Sequence, residues 1–143
     1  LEAAIGLGTL DEYDHIVGTR KRNLDYLMAN FRRFSPSLNT FREEKQEKIG
    51  PHAFPIILGE EASFTREQYV WFLQQNDIDT RDLFASIPTQ YNSHKVFNKP
   101  GDNFPEAEYI GVNGFHIGVH QDLEIPQLDY FLEKTEEFIK GKK

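Results

Sequence analysis

Arg81 is the side chain in this sequence whose type and setting most invite binding chemistry. It lies in Asp79-Thr80-Arg81-Asp82-Leu83-Phe84, which reads as a short strand leading into a long loop. A guanidinium at such a place can grip a phosphate or carboxylate through two parallel hydrogen bonds. A plain salt bridge to Asp79 or Asp82 is the other reading, and spacing alone does not choose between them. His116 and His120 raise the question of a metal. On a helix, histidines four apart can share one zinc ion. Here Ile117-Gly118-Val119 between them reads as a strand, where four residues span about 13 Å. Both imidazoles then point to one face without meeting on one ion. By itself His116 reads as a packing or hydrogen-bonding residue. His120, at the C-terminal end of the strand, suits a packing role or a cleft equally.

Other motifs carry less. Gly6-Leu7-Gly8 lacks the third glycine and the preceding strand of a dinucleotide fingerprint, and no P-loop occurs. Ser86, Thr89 and Ser93 lie near histidines in sequence but form no nucleophile elbow. Glu43-Glu44 and Glu136-Glu137 read as solvated faces.

The elements that must position these side chains follow from periodicity. Over residues 2–33, Leu10, Tyr13, Val17, Leu24, Leu27, Met28 and Phe31 make a helical stripe. Gly6 and Gly8 within it read as points of close approach to another backbone, and Ser35-Pro36 ends the helix. Residues 38–43 and 52–58 read as strands. Pro55 points to an edge position or a bulge in the second. Thr65 and Gln68 have capping-box spacing, with Phe64 and Tyr69 as the hydrophobic staple of a helix over 66–76. A strand over 78–84 and a long loop over 85–103 follow. Next come a short helix over 106–110 and a strand over 115–119 with Phe115, Ile117 and Val119 inward. A last helix starts near Glu124, with Leu128, Phe131, Leu132, Phe138 and Ile139 on its apolar stripe. This order predicts an α+β fold, a small and mostly antiparallel sheet covered by helices.

The 143 residues suffice for one domain with a real core. With 38% hydrophobic and 27% charged residues the chain is globular rather than disordered. A net charge of -7 argues against binding nucleic acid through its phosphates. No apolar run is long enough to span a bilayer. The absence of cysteine excludes a disulfide scaffold and thiolate chemistry, and suits a cytoplasmic setting. The chain starts at Leu1 inside an apparent helix, so a cut from a longer polypeptide is expected.

Three segments carry a family resemblance. The first is Leu1-Glu-Ala-Ala-Ile-Gly-Leu-Gly-Thr-Leu10 with Asp14 and Arg20-Lys-Arg-Asn23. The second is Asp79-Thr80-Arg81-Asp82-Leu83-Phe84 with Ile87-Pro88-Thr89-Gln90. The third is residues 104–123 with the closing helix. In this order they resemble the C-terminal, small domain of the DegT/DnrJ-type sugar aminotransferases, pyridoxal-phosphate enzymes of aspartate-aminotransferase type (fold type I). The resemblance implies that residues 1–143 are that one small domain, without the large domain that holds the cofactor. It implies a dimeric parent that aminates nucleotide-linked keto-sugars in polysaccharide biosynthesis, or dehydrates them as the sugar 3-dehydrases do. Pyridoxal phosphate is expected in the parent and no cofactor in this chain, which alone is expected to be inactive. By position, the resemblance implies that Arg81, Gln90, His116 and His120 contact the nucleotide-sugar. Many members have a P-L-H-x-Q-P loop where this chain has Ile87-Pro88-Thr89-Gln90. A free-standing α+β binding or interaction module with the same topology is the alternative.

Overall fold

The computed structural model describes residues 2–83 and 104–142. Three helices cover one face of a four-stranded antiparallel sheet of order β1-β2-β4-β3. The strands are β1 (Leu38–Asn39), β2 (Ala53–Leu58), β3 (Arg81–Asp82) and β4 (Gly114–Gly118). The α+β expectation holds, and no parallel pair occurs among the described strands. The expected strand over 38–43 shrinks to two residues. Of the one over 78–84, only Arg81–Asp82 is strand among the described residues. The loop over 85–103, with Gln90, lies outside them.

Period-two alternation sorts the residues of β2 and β4. Phe54 opposes Ile117 and Ile56 opposes Phe115, and all four are buried. His116 and Gly118 fall on the opposite face. Pro55 occupies a central strand, which corrects the edge or bulge expectation. The physical reason is that β1 has already ended beside it. A strand residue turns its N–H and C=O to the same side. The Pro55 carbonyl accepts from the Thr40 hydroxyl at 2.7 Å, so the side where an N–H would be needed has no strand to pair with.

The expected long helix is two: α1 (Glu2–Asp11) and α2 (Tyr13–Phe31), parted at Glu12, with a 3-10 turn Arg32–Phe34 after them. Only the C-terminal half of the stripe is core. Leu24, Leu27 and Phe31 are fully buried, whereas Leu7 and Leu10 are each 65% exposed. A Cβ added at Gly6 or Gly8 would meet nothing within 4 Å, so no close approach within the described residues requires those glycines. The peptide bond Ser35–Pro36 is cis.

Helix α3 (Arg66–Gln75) starts with the Thr65–Gln68 capping box, and the Phe64 and Tyr69 rings sit 5.9 Å apart as its staple. Helix α4 (Pro105–Asn113) runs longer than the predicted short helix over 106–110 and buries no residue, although Tyr109 donates to the Leu58 carbonyl at 2.8 Å. Helix α5 (Ile125–Lys140) begins with a capping box of Glu124 and Gln127. It buries Leu128, Phe131, Leu132 and Phe138 as its stripe requires, and Thr135 besides. The Thr135 hydroxyl donates to the Phe131 carbonyl at 2.8 Å, so the Tyr69 hydroxyl donates to Thr135 at 2.6 Å. Glu43 is only partly exposed and is tied down. It accepts from the Ile49 N–H at 2.9 Å and pairs with Lys21 at 3.1 Å, which pins the loop after β1 to α2.

Candidate binding cleft

The open face of the sheet collects the chemistry. Register sets Arg81 opposite His116 across β3 and β4, and His116 opposite Pro55 across β4 and β2. Directly opposed residues share a face, so the Arg81 and His116 side chains rise from it together. His52 stands just before β2, its ring 6.2 Å from that of His116. Beyond Gly118 the chain turns at 120–123, bringing His120 to the same face. Arg20, from α2, closes the far side, its Nε donating to Gln121 Oε1 at 2.9 Å. These side chains and Asp79 enclose a cleft of about 260 Å³.

Two guanidiniums face one carboxylate in the cleft of a protein whose net charge is -7. Such a local reversal draws anions. Arg81 is 78% exposed, and the Asp79 carboxylate stands 3.8 Å from its Nε. That is an ion-pair distance, too long for the fork to be engaged. Asp82 is not its partner. It pairs with Arg66, which also donates to the Gly114 carbonyl at 3.0 Å. His116 is held below its ordinary range, by burial first and then by His52 and Arg81. Proton uptake there is disfavoured until an anion enters to offset the cations. His120 is half-exposed, and its Nδ1 accepts from the Asp122 N–H at 3.4 Å.

His116 and His120 thus share a cleft, and among the described residues no group of three or more metal-ligating side chains forms. Among the described residues no lysine lines the cleft. The lining fits an anion instead. Of the four predicted contacts the structure brings together Arg81, His116 and His120, whereas Gln90 lies outside the described residues. Sequence reading missed His52, which looked like the start of an apolar strand, and Arg20, which looked like the solvent side of a helix. It also missed Asn23, fully buried behind the 120–123 turn, where the signal was a polar residue four before Leu27 on the helical stripe.

The profile of the DegT/DnrJ/EryC1/StrS aminotransferase family matches residues 1–136. The chain belongs to this family. Among curated family members it is 33% identical to lipopolysaccharide biosynthesis protein RfbH of Salmonella typhimurium, over 96% of this chain and 32% of that protein. It is 26% identical to dTDP-4-dehydro-2,6-dideoxy-D-glucose 3-dehydratase of Saccharopolyspora spinosa, over 97% of this chain and 30% of that enzyme. The chain therefore spans about a third of the length of these relatives. The fold matches a crystal structure of GDP-4-keto-6-deoxymannose-3-dehydratase with a trapped PLP-glutamate geminal diamine. That match has a TM-score of 0.78 at 24% identity, over 92% of this chain and 34% of that one. It also matches a crystal structure of S. venezuelae DesV in complex with a ketimine intermediate, with a TM-score of 0.80 at 16% identity, over 96% of this chain and 35% of that one. The α+β sheet is accordingly that of fold type I sugar aminotransferases and dehydratases.

Proposed function

We propose that residues 1–143 act as the small domain of a pyridoxal-phosphate enzyme that converts nucleotide-linked keto-sugars, and that the sheet's open face holds the anionic part of the substrate. The observation that carries this reading is the convergence of Arg20, Arg81, His52, His116 and His120 on one cleft. The cofactor, held in the parent by residues beyond this chain, supplies the electron sink for the chemistry at the sugar. The part of this chain is binding and orientation. Arg81 offers two parallel donors to a phosphate, Arg20 faces it from α2, and His116 can accept a proton as the anion arrives. Gln90 is a further proposed contact. The isolated chain is expected to be inactive and to hold no cofactor. Cofactor absorbance at one equivalent that resists dialysis would contradict that. A dimeric, cytoplasmic parent completes the reading.

The family's general reaction is amination. A 3-dehydratase is the second reading, favoured because the Saccharopolyspora relative carries that name and so does a second relative, the GDP-4-keto-6-deoxy-D-mannose 3-dehydratase of Escherichia coli O55:H7. Mass spectrometry of the product made by the full-length protein from a nucleotide-linked 4-keto-6-deoxy sugar separates the two. A gained amine supports the first, and a lost 3-hydroxyl supports the second. For the cleft itself the test is Arg81→Ala in the full-length protein. Substrate binding should weaken by about 1.5–3 kcal/mol, the range for hydrogen bonds to charged groups. Affinity within twofold of the parent would leave Arg81 only its pairing with Asp79.

A further inference from the structure

We infer that Asn23 is a positioning residue that sets His120 in place across the cleft from Arg20, an inference that rests on the binding role proposed above. Asn23 is fully buried on α2. A primary amide has two N–H donors and one carbonyl acceptor. Both donors of Asn23 go to one turn far along the chain, to the His120 carbonyl at 2.9 Å and the Leu123 carbonyl at 3.1 Å. Its Oδ1 accepts from Arg22 Nη2 at 2.9 Å, and Arg22 reaches the same Leu123 carbonyl at 3.2 Å. Both donors of the amide are therefore committed to the turn that carries His120.

The same turn is tied to the cleft from the other side. Gln121 accepts from Arg20 Nε at 2.9 Å, and Arg20 and His120 both line the cleft. Arg20 and Asn23 lie one helical turn apart, so α2 grips the turn at two points. The imidazole of His120 itself is half-exposed, and among the described residues its hydrogen bond and its ion pair are both with Asp122 of the same turn. With so little packing on the ring, its place depends on where the backbone of residue 120 is held. A buried amide is a stiff holder, because any shift of the turn would leave a donor unpaired away from water.

Asn23→Asp isolates the claim. It keeps the volume and the acceptor for Arg22 but removes both donors to the turn. The experiment is calorimetric binding of GDP, dTDP, CDP and UDP to the full-length protein, to Asn23→Asp, to His120→Ala and to the double variant, using the tightest nucleotide. Asn23→Asp should weaken binding at least about fivefold, since two buried hydrogen bonds to the turn are lost. In the His120→Ala background the same change should cost less than twofold, because the residue through which Asn23 acts is gone. Should Asn23→Asp fail to fold, Asn23→Ser, which keeps one donor, takes its place in the cycle. Fully additive effects, or a His120→Ala protein that binds like the parent, would overturn the inference. The Arg81→Ala protein distinguishes the two levels. If it too binds normally, or if none of the four nucleotides binds, the cleft reading has failed. If it binds weakly while the Asn23 cycle is additive, only the positioning role has failed.

Discussion

Phe115 and His116 are neighbours in β4, yet they live in different media. Phe115 is fully buried and meets the Tyr69 ring edge-on at 5.6 Å. His116 faces a cleft with Arg81 across the ladder and His52 beside it. The covered face is made of large apolar groups interlocked in fixed angles. Phe54, for example, packs edge-on against Phe31 at 5.1 Å. The open face carries Pro55, Gly118, His116 and the largely exposed Arg81. One face thus holds the fold together, while the other holds groups ready for a ligand. The comparison predicts that substitutions on the first face are read in stability and those on the second in binding.

The largest effect should come from Phe54→Ala, which opens a cavity among Phe31, Ile117 and Phe131. A loss of about 3–5 kcal/mol is expected from denaturant unfolding. A loss under 1 kcal/mol would mean that this face is not the keystone described. A smaller effect should come from the one buried polar pair in this part of the core. Thr135→Val leaves the Tyr69 hydroxyl without an acceptor and should cost about 1–3 kcal/mol. Tyr69→Phe removes only the donor and should cost about 1 kcal/mol. The reverse order would show that the assigned direction of that hydrogen bond is wrong.

His116 sharpens the comparison through pH. Its folded-state value is depressed below 6.5, chiefly by burial, so as pH falls the unfolded chain binds a proton before the folded one does. Stability from this group is present above about pH 6.5 and is lost as pH falls through the folded value. Urea unfolding of His116→Gln should therefore show a shallower decline over that window than the parent does. Parallel declines would mean that the cleft does not perturb the imidazole. Smallest of all should be the effect of Arg81→Ala on stability, within about 0.5 kcal/mol for an exposed ion pair. A loss above 1 kcal/mol would place Arg81 on the structural side of the comparison after all.

Much of the covered face was legible in the sequence. The Thr65–Gln68 box with its Phe64–Tyr69 staple is a signal contained in six residues, and it appears as read. The stripe of α5 and the alternation of Phe115, Ile117 and Val119 are equally local, since a helix or strand with one apolar face must bury it. Where local signals misled, the cause was tertiary. Leu10 and Tyr13 fit the expected helical stripe, yet at the end of α1 and the start of α2 they are 65% and 56% exposed. Pro55 looked like an edge or bulge residue, yet β1 ends opposite Ile57, two residues short of it, and spares it a partner.

From the sequence alone came the family likeness, carried by three ordered segments, and the α+β class, the Thr65–Gln68 cap and the apolar faces, which depend on residues a turn or two apart. Only the tertiary structure decided which polar groups meet. His52, Arg81 and His116 become neighbours through strand register, and Arg20 and Asn23 reach the 120–123 turn because α2 packs across the sheet. Register and packing are set by burial of the whole core at once. No local pattern around His52 or Asn23 could carry that information, and a cleft assembled from distant segments is therefore visible only once the chain has folded.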